Sequence, residues 1–491
     1  MKKYLFRPIS ILLTIILTVN CSDSFVDISP QYSIDSENYF NISEDYEQAV
    51  IAAYDLLQTT YLNNMLGEIA SDNTLCGGES ATDVPGFQQI DDMIHTPVNE
   101  NLKDLWNWMF AGVQRAAYVI EFKDKIDFDG KDALVAEAYF LRAYYNFELV
   151  KWFGPIPIKE SGRFAVGDEQ RLPRSPISEV YGLIETDLQA AIPHLPLTTA
   201  QDGRVTSGAA RALLGKVYVY QDKFEDASTI LEEVIDSDVY SLVDNYDEIF
   251  EHDGENGSGA VFEVQYTDAE GASFDCFQCS EGNIAVGFNG IRQYNGPVFD
   301  SGFSFNVPTQ EVVDAFEAGD LRKDVAILDI ERWATQRGAT YGTGYEHTGY
   351  FNRKYIARKG DLNIGDQNLT NPNNYRAIRY ADVLLFAAEA NARKTPTDES
   401  KARTYLNLVR QRAFGTSSRA VNASGNDLLD AIFHERRVEL VGEGHRFFDL
   451  VRTGKAEQEI EGFTANKNEL FPVPFEEIQF SNGNWDQNDG Y

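Results

Sequence analysis

Helical periodicity runs along both ends of this chain and stops in between, and that interruption limits the folds open to it more than any other feature. From Ser43, where Tyr46, Val50, Tyr54 and Leu57 recur at helical spacing behind an acidic first turn, apolar stripes return at about 99–122, 132–153, 176–192, 208–220 and 225–236. They reappear at 380–393, 399–413 and 426–441. Gly154-Pro155 stops one stripe, Ser175-Pro176 opens another with a capping serine, and Thr206 is placed to cap the next. Between about 241 and 374 the chain is rich in Gly, Asn and aromatics; there 261–266 reads as a strand and only 310–316 as a helix. The small residues of Ala209-Ala210-Arg211-Ala212 and Ala387-Ala388-Glu389-Ala390 let helices approach closely. The expected fold is therefore mainly α: a tetratricopeptide-like helical-hairpin scaffold over about 40–240 and 375–455, with an irregular, aromatic-rich insertion over about 241–374. Insertions of that length are usually functional.

The first residues carry a different signal. Lys2, Lys3 and Arg7 precede an apolar run at 9–19 that ends at Asn20-Cys21, and a membrane-spanning helix needs about 20 apolar residues. A cleaved export signal over 1–20 is expected. A cysteine directly after such a run resembles a bacterial lipoprotein signal, so the mature chain, 21–491, is expected to begin at a lipid-modified Cys21.

Charge excludes one class of partner. The sequence has 42 Lys+Arg against 77 Asp+Glu, a net −35; removing Lys2, Lys3 and Arg7 with the leader leaves 39 against 77, a net −38. Such a field repels phosphate, and no basic run offsets it, so no nucleic-acid partner is expected. An uncharged ligand is easier to hold than an anionic one. Cys276 and Cys279 lie in a loop-like stretch with no second pair or His cluster to complete a zinc site, which makes a local disulfide the plainer reading and leaves Cys76 as a buried thiol.

Several strings then become recognisable together. The helix from Ala136 through Arg142 to Trp152-Phe153-Gly154-Pro155, the segments Ile378-Arg379-Tyr380 to Glu389 and Leu406-Asn407 to Arg410 and Arg412, the run from Glu435 to Arg452, and the tail Leu470-Phe471-Pro472-Val473-Pro474 resemble the SusD/RagB family of glycan-binding outer-membrane lipoproteins. In order and spacing they cover nearly the whole mature chain, as a single SusD-like domain. The resemblance implies a lipid-anchored protein of the outer membrane facing the cell surface. It would capture oligosaccharide or polysaccharide and deliver it to a SusC-like TonB-dependent transporter, acting as the lid of that transporter. It would not be an enzyme.

The residues themselves supply no catalytic motif. The six histidines show no ligand spacing, and there is no Gly-x-Ser-x-Gly elbow or phosphate-binding glycine loop, so no catalytic residue, metal or cofactor is expected. Glu435, Glu439 and Glu443 recur every four residues beside Arg436, Arg437, Arg446 and Arg452, which reads as a structural ion-pair network, as does Arg142. Sugar recognition needs flat apolar faces beside polar groups that engage hydroxyls. Trp333, Arg337, Tyr341 and Tyr345, interleaved with glycines, and Tyr294, beside Arg292, supply both kinds. The resemblance adds Asp72 and Asn73 as hydrogen-bonding candidates and Phe87 as a stacking residue. Trp106, Trp108 and Trp152 fall within helical stripes and read as core. An exported glycoside hydrolase, a scaffold that binds only the transporter, and a peptide-binding family member remain as alternatives.

Overall fold

The computed structural model of the chain describes residues 39–360 and 368–491; the leader and Cys21 lie outside the described residues. Among the described residues eight helices precede the insertion: α1 (Ser43–Asp55), α2 (Tyr61–Ile69), α3 (Pro85–Asp91), α4 (Glu100–Glu121), α5 (Lys131–Phe153), α6 (Ile177–Ala191), α7 (Ser207–Tyr220) and α8 (Phe224–Ile235). Within the insertion lie α9 (Ile284–Asn289), α10 (Gln310–Ala315) and α11 (Ile330–Arg337). After it come α12 (Tyr380–Arg393), α13 (Glu399–Phe414), α14 (Gly425–Leu440), α15 (Arg446–Arg452) and α16 (Phe475–Phe480). Neighbours in sequence pack as hairpins, α4 on α5, α5 on α6, α7 on α8 and α12 on α13, while α12 also lies along α8 and so joins the two halves of the scaffold. The fold is mainly α, a tetratricopeptide-like scaffold. Among the described residues no helix is long and apolar enough to cross a membrane.

Local chemistry explains the helix ends. The Asn99 side chain accepts from the backbone N–H groups of Asn101 and Leu102, both at 3.1 Å, and starts α4; Thr206 does the same for α7 through Ala209, at 3.1 Å. Tyr145 of α5 packs over Gly112 of α4, where an added Cβ would come within 2.6 Å of its ring, so that glycine sets how closely the two longest scaffold helices approach. Trp152 is fully buried against Phe448 and Phe471, and Trp106 and Trp108 are also buried.

The insertion leaves and rejoins the scaffold at one place. Strands β2 (Ala260–Val264) and β8 (Tyr375–Arg379) pair antiparallel, pinning its two ends side by side. Its middle is pinned elsewhere: β1 (Thr74–Cys76), just after α2, pairs with β5 (Asn306–Pro308). Shorter pairs, β3 (Ile291–Arg292) with β4 (Ser301–Gly302) and β6 (Ile327–Asp329) with β7 (Tyr350–Asn352), brace the rest. The insertion is less irregular than its sequence suggests. Besides α10 it holds α9 and α11, so the Trp333–Arg337 stretch is helix and not loop.

A buried charge network locks the insertion to α14. Glu439 accepts from Arg379 at 2.7 Å, Arg412 at 2.7 Å and Arg322 at 2.8 Å. Glu443 accepts from Lys354 at 2.6 Å and Arg379 at 2.8 Å, and Glu435 from Arg410 at 2.7 Å. Burial alone would raise the Glu439 carboxyl, but Arg412, Arg379 and Arg322 together hold it well below the usual carboxylate range. Arg142 pairs with Asp187 through two bonds of 2.8 and 2.7 Å, both residues buried. All of these side chains are consumed by structure.

Candidate functional site

The pairing of β1 with β5 builds a cleft. It carries the chain from Phe305 back along Gly77 and Gly78, whose N–H groups donate to the carbonyls of Phe305 at 3.2 Å and Ser304 at 2.8 Å. Gly78 has φ of +104°, and a Cβ there would stand 2.8 Å from the Phe305 ring, so only glycine lets the two segments run this close. Tyr345 then donates its N–H to the Gly78 carbonyl at 2.9 Å, laying the 340–346 segment on the outer side. Between these loops and α4 opens a cavity of about 350 Å³.

Its walls are of two kinds. Trp108 on α4 and Phe274, Phe277 and Phe303 on the insertion give rings, while Glu79, Asp83, Asp104 and Arg292 give polar groups. Phe274 is the outermost ring, 53% exposed, and it rests edge-on against Phe303 at 5.7 Å and Phe277 at 5.9 Å. The loop that presents it is closed by a disulfide between Cys276 and Cys279, and Cys76 is a buried free thiol. Arg292 is held in place by the Phe303 carbonyl at 2.9 Å and faces Asp83 at 3.5 Å. Burial, with Glu100 nearby, pushes the Asp104 carboxyl up to about 6. Val84, also in the wall, sits at φ of +45°, a region that costs a β-branched residue of order 1–3 kcal/mol and tends to be retained at binding sites.

The residues expected from sequence divide sharply. Phe87 offers no stacking face: it is 1% exposed, enclosed by Phe288 at 5.3 Å and Phe305 at 5.7 Å, and forms the floor beneath the cleft. Asp72 and Asn73 are also corrections. Asp72 is bound by Arg446 at 2.7 and 2.8 Å, and Asn73, fully buried, accepts from Arg437 at 2.9 Å, so both belong to the charge network. Tyr294 is buried, its hydroxyl donating to the Pro297 carbonyl at 2.7 Å. Trp333 donates its ring N–H to that hydroxyl at 2.9 Å, lies tilted against Phe299 at 5.1 Å, and has one face covered by the Arg337 guanidinium at 5.0 Å. Tyr341 and Tyr345 are half-buried on the segment that borders the cleft through Gly342, whose N–H donates to the Arg292 carbonyl at 2.8 Å.

Sequence reasoning missed Phe274, Phe277, Phe303, Glu79, Asp83 and Asp104, and it placed Trp108 in the core alone. The one available signal was the disulfide loop itself, in which Phe274 and Phe277 flank Asp275-Cys276. Among the described residues no group of three or more His, Cys, Asp or Glu is placed to hold a metal ion.

Known proteins resemble this chain along its length. Residues 330–470 match the family model described as "SusD family", and residues 24–219 match one described as "Starch-binding associating with outer membrane". Among solved structures, a laminarin-binding SusD-like protein is 34% identical, with 91% of this chain and 99% of the other covered at a TM-score of 0.83. Surface glycan-binding protein A from Bacteroides thetaiotaomicron, solved in complex with laminarihexaose, is 26% identical, covering 91% and 99% at a TM-score of 0.79. SusD-like protein P38 of Formosa agariphila is 28% identical over 479 residues, 93% of each chain.

Proposed function

The chain belongs to the SusD family, and on that premise we propose that it is a non-catalytic surface protein that binds an uncharged oligosaccharide or polysaccharide in the cleft beneath Phe274. The observation that carries this reading is the composition of that cleft. Exposed ring surface suits the C–H face of a pyranose, and carboxylates and a guanidinium around it suit hydroxyls. Three acids, Glu79, Asp83 and Asp104, face one base, Arg292, which disfavours an anionic glycan. Two relatives of this chain are named for binding laminarin or laminarihexaose, so a neutral glucan is the first ligand to test.

Delivery to a SusC-like TonB-dependent transporter, with this protein as its lid and Cys21 as its lipid anchor at the outer membrane, completes the reading. It rests on the family resemblance and on the short apolar run before Cys21. Affinity electrophoresis of the mature protein through gels containing neutral or anionic polysaccharides tests the ligand class: retardation by a neutral glucan and none by an anionic glycan is expected. Labelled palmitate incorporated by the wild type and lost in Cys21→Ala tests the anchor, and co-purification with an outer-membrane barrel tests the partner.

A further inference from the structure

A second cavity of about 350 Å³ lies on the other flank of α4. Its walls are Trp106 and Phe110 from α4, Phe164 from the segment after α5, Trp485 from the C-terminal tail and Glu477 from α16. We propose that this cavity continues the glycan-binding surface and takes a further stretch of the same uncharged polysaccharide chain. This inference rests on the first cleft being a glycan site.

Asp104 lines the first cleft and Asn107 the second. Residues three apart on a helix have Cβ atoms about 5–6 Å apart, so one turn of α4 contributes to both clefts. Asn107 is exposed and Asp104 half-buried there, so a sugar chain crossing from one cleft to the other meets hydrogen-bonding groups at that turn.

The wall of the second cavity is fixed before any ligand arrives. The Gln114 amide holds the backbone of Phe164 at both ends, donating to its carbonyl at 2.9 Å and accepting from its N–H at 2.8 Å, and so sets that ring edge-on to Phe110 at 5.9 Å. Trp485, largely buried, gives its ring N–H to the Leu172 carbonyl at 2.8 Å, which fixes the ring where it lines the cavity. Rings held this way lose little freedom on binding. The Glu477 carboxylate is half-buried, and no donor among the described residues reaches it; burial first, then Glu476 and Glu169, raise it above its ordinary value. A sugar hydroxyl supplies the donor that this group lacks, without bringing a charge that Glu169 and Glu477 would have to balance.

Val166, next in sequence to the lining residue Ala165, and Phe480, on α16 with Glu477, are exposed, which makes a protein partner the competing occupant. Chain length separates the two. Laminaritriose, short enough for one cleft, and polymeric laminarin are titrated calorimetrically against the mature wild type and against Asn107→Ala, Glu477→Gln and Phe164→Ala. The expected result is triose affinity within twofold of wild type in all three variants and laminarin affinity reduced at least fivefold. Asn107→Ala and Glu477→Gln alter exposed or half-buried polar tips, so the test stands even where Phe164→Ala fails to fold. Variants that bind laminarin like the wild type overturn this inference alone and favour the protein occupant. Wild-type protein that binds neither probe overturns the first-cleft reading and this one with it.

Discussion

Arg446 grips both carboxylate oxygens of Asp72, Nε at 2.7 Å and Nη2 at 2.8 Å, and thereby ties the loop after α2 to α15, more than 370 residues away in sequence. Arg437 closes on the same carboxylate at 2.8 Å. Removing the carboxylate strands two guanidiniums in a low-exposure site, a change that costs about 3–5 kcal/mol. Asp72→Ala is expected to lower the urea midpoint accordingly while the folded fraction binds glycan with unchanged affinity. A variant of normal stability that has lost glycan binding would return Asp72 to the ligand site.

The acid limb of stability follows from α14 and α15. Burial opposes ionisation of Glu439 and Asp449, but Arg412, Arg379 and Arg322 around the first and Arg436 and Arg452 around the second outweigh it, so both carboxyls are held below their ordinary values. A depressed native value contributes stability that is complete above the unfolded value of 4.5 for Glu439 and 3.8 for Asp449 and is lost as pH falls below it. Denaturation midpoints are expected to drop between pH 5 and pH 3. Glu439→Gln should start lower at pH 7 and lose less on acidification than the wild type.

Asp91 acts in the opposite sense. Burial first, and then Asp92 and Glu346, raise its carboxyl from 3.8 to about 7, against the Cys76 N–H that donates to it at 2.8 Å. A raised native value makes ionisation a penalty that grows as pH climbs from about 4 to about 7. Asp91→Asn keeps an acceptor for Cys76 and removes the charge. It should match the wild type more closely at pH 5 and be the more stable protein at pH 8; an equal difference at both values would contradict the assignment.

Much of the scaffold can be read from sequence because a helix writes its apolar face at fixed spacing and its ends in caps such as Thr206. The charge network is legible for a related reason: Glu435 and Glu439 share one face of α14, Glu443 follows just past its end, and buried carboxylates of that kind need the arginines that accompany them. The insertion resists the same reading. Helix α11 carries Ile330 as its one buried residue, so it has no stripe to detect, and α9 is six residues long and buried all round. The site resists it further. Phe87 and Phe274 both sit among small and polar residues, yet one is 1% and the other 53% exposed, and the difference is made by β1 pairing with β5 across more than 200 residues. Trp333, the most attractive ring in the sequence, is occupied by Tyr294 and Arg337, contacts that have no local signature beyond the four-residue step to Arg337.

Glycan binding in the cleft is read out by one titration. Phe274 supplies the exposed ring and Arg292 the fixed cation, and neither holds the scaffold together. Laminarin titrated into the mature protein is expected to bind the wild type and to bind Phe274→Ala/Arg292→Ala at least tenfold more weakly, with the thermal midpoint of the double variant within a few degrees of the wild type. Equal affinity in the two proteins would contradict the cleft as the site of binding.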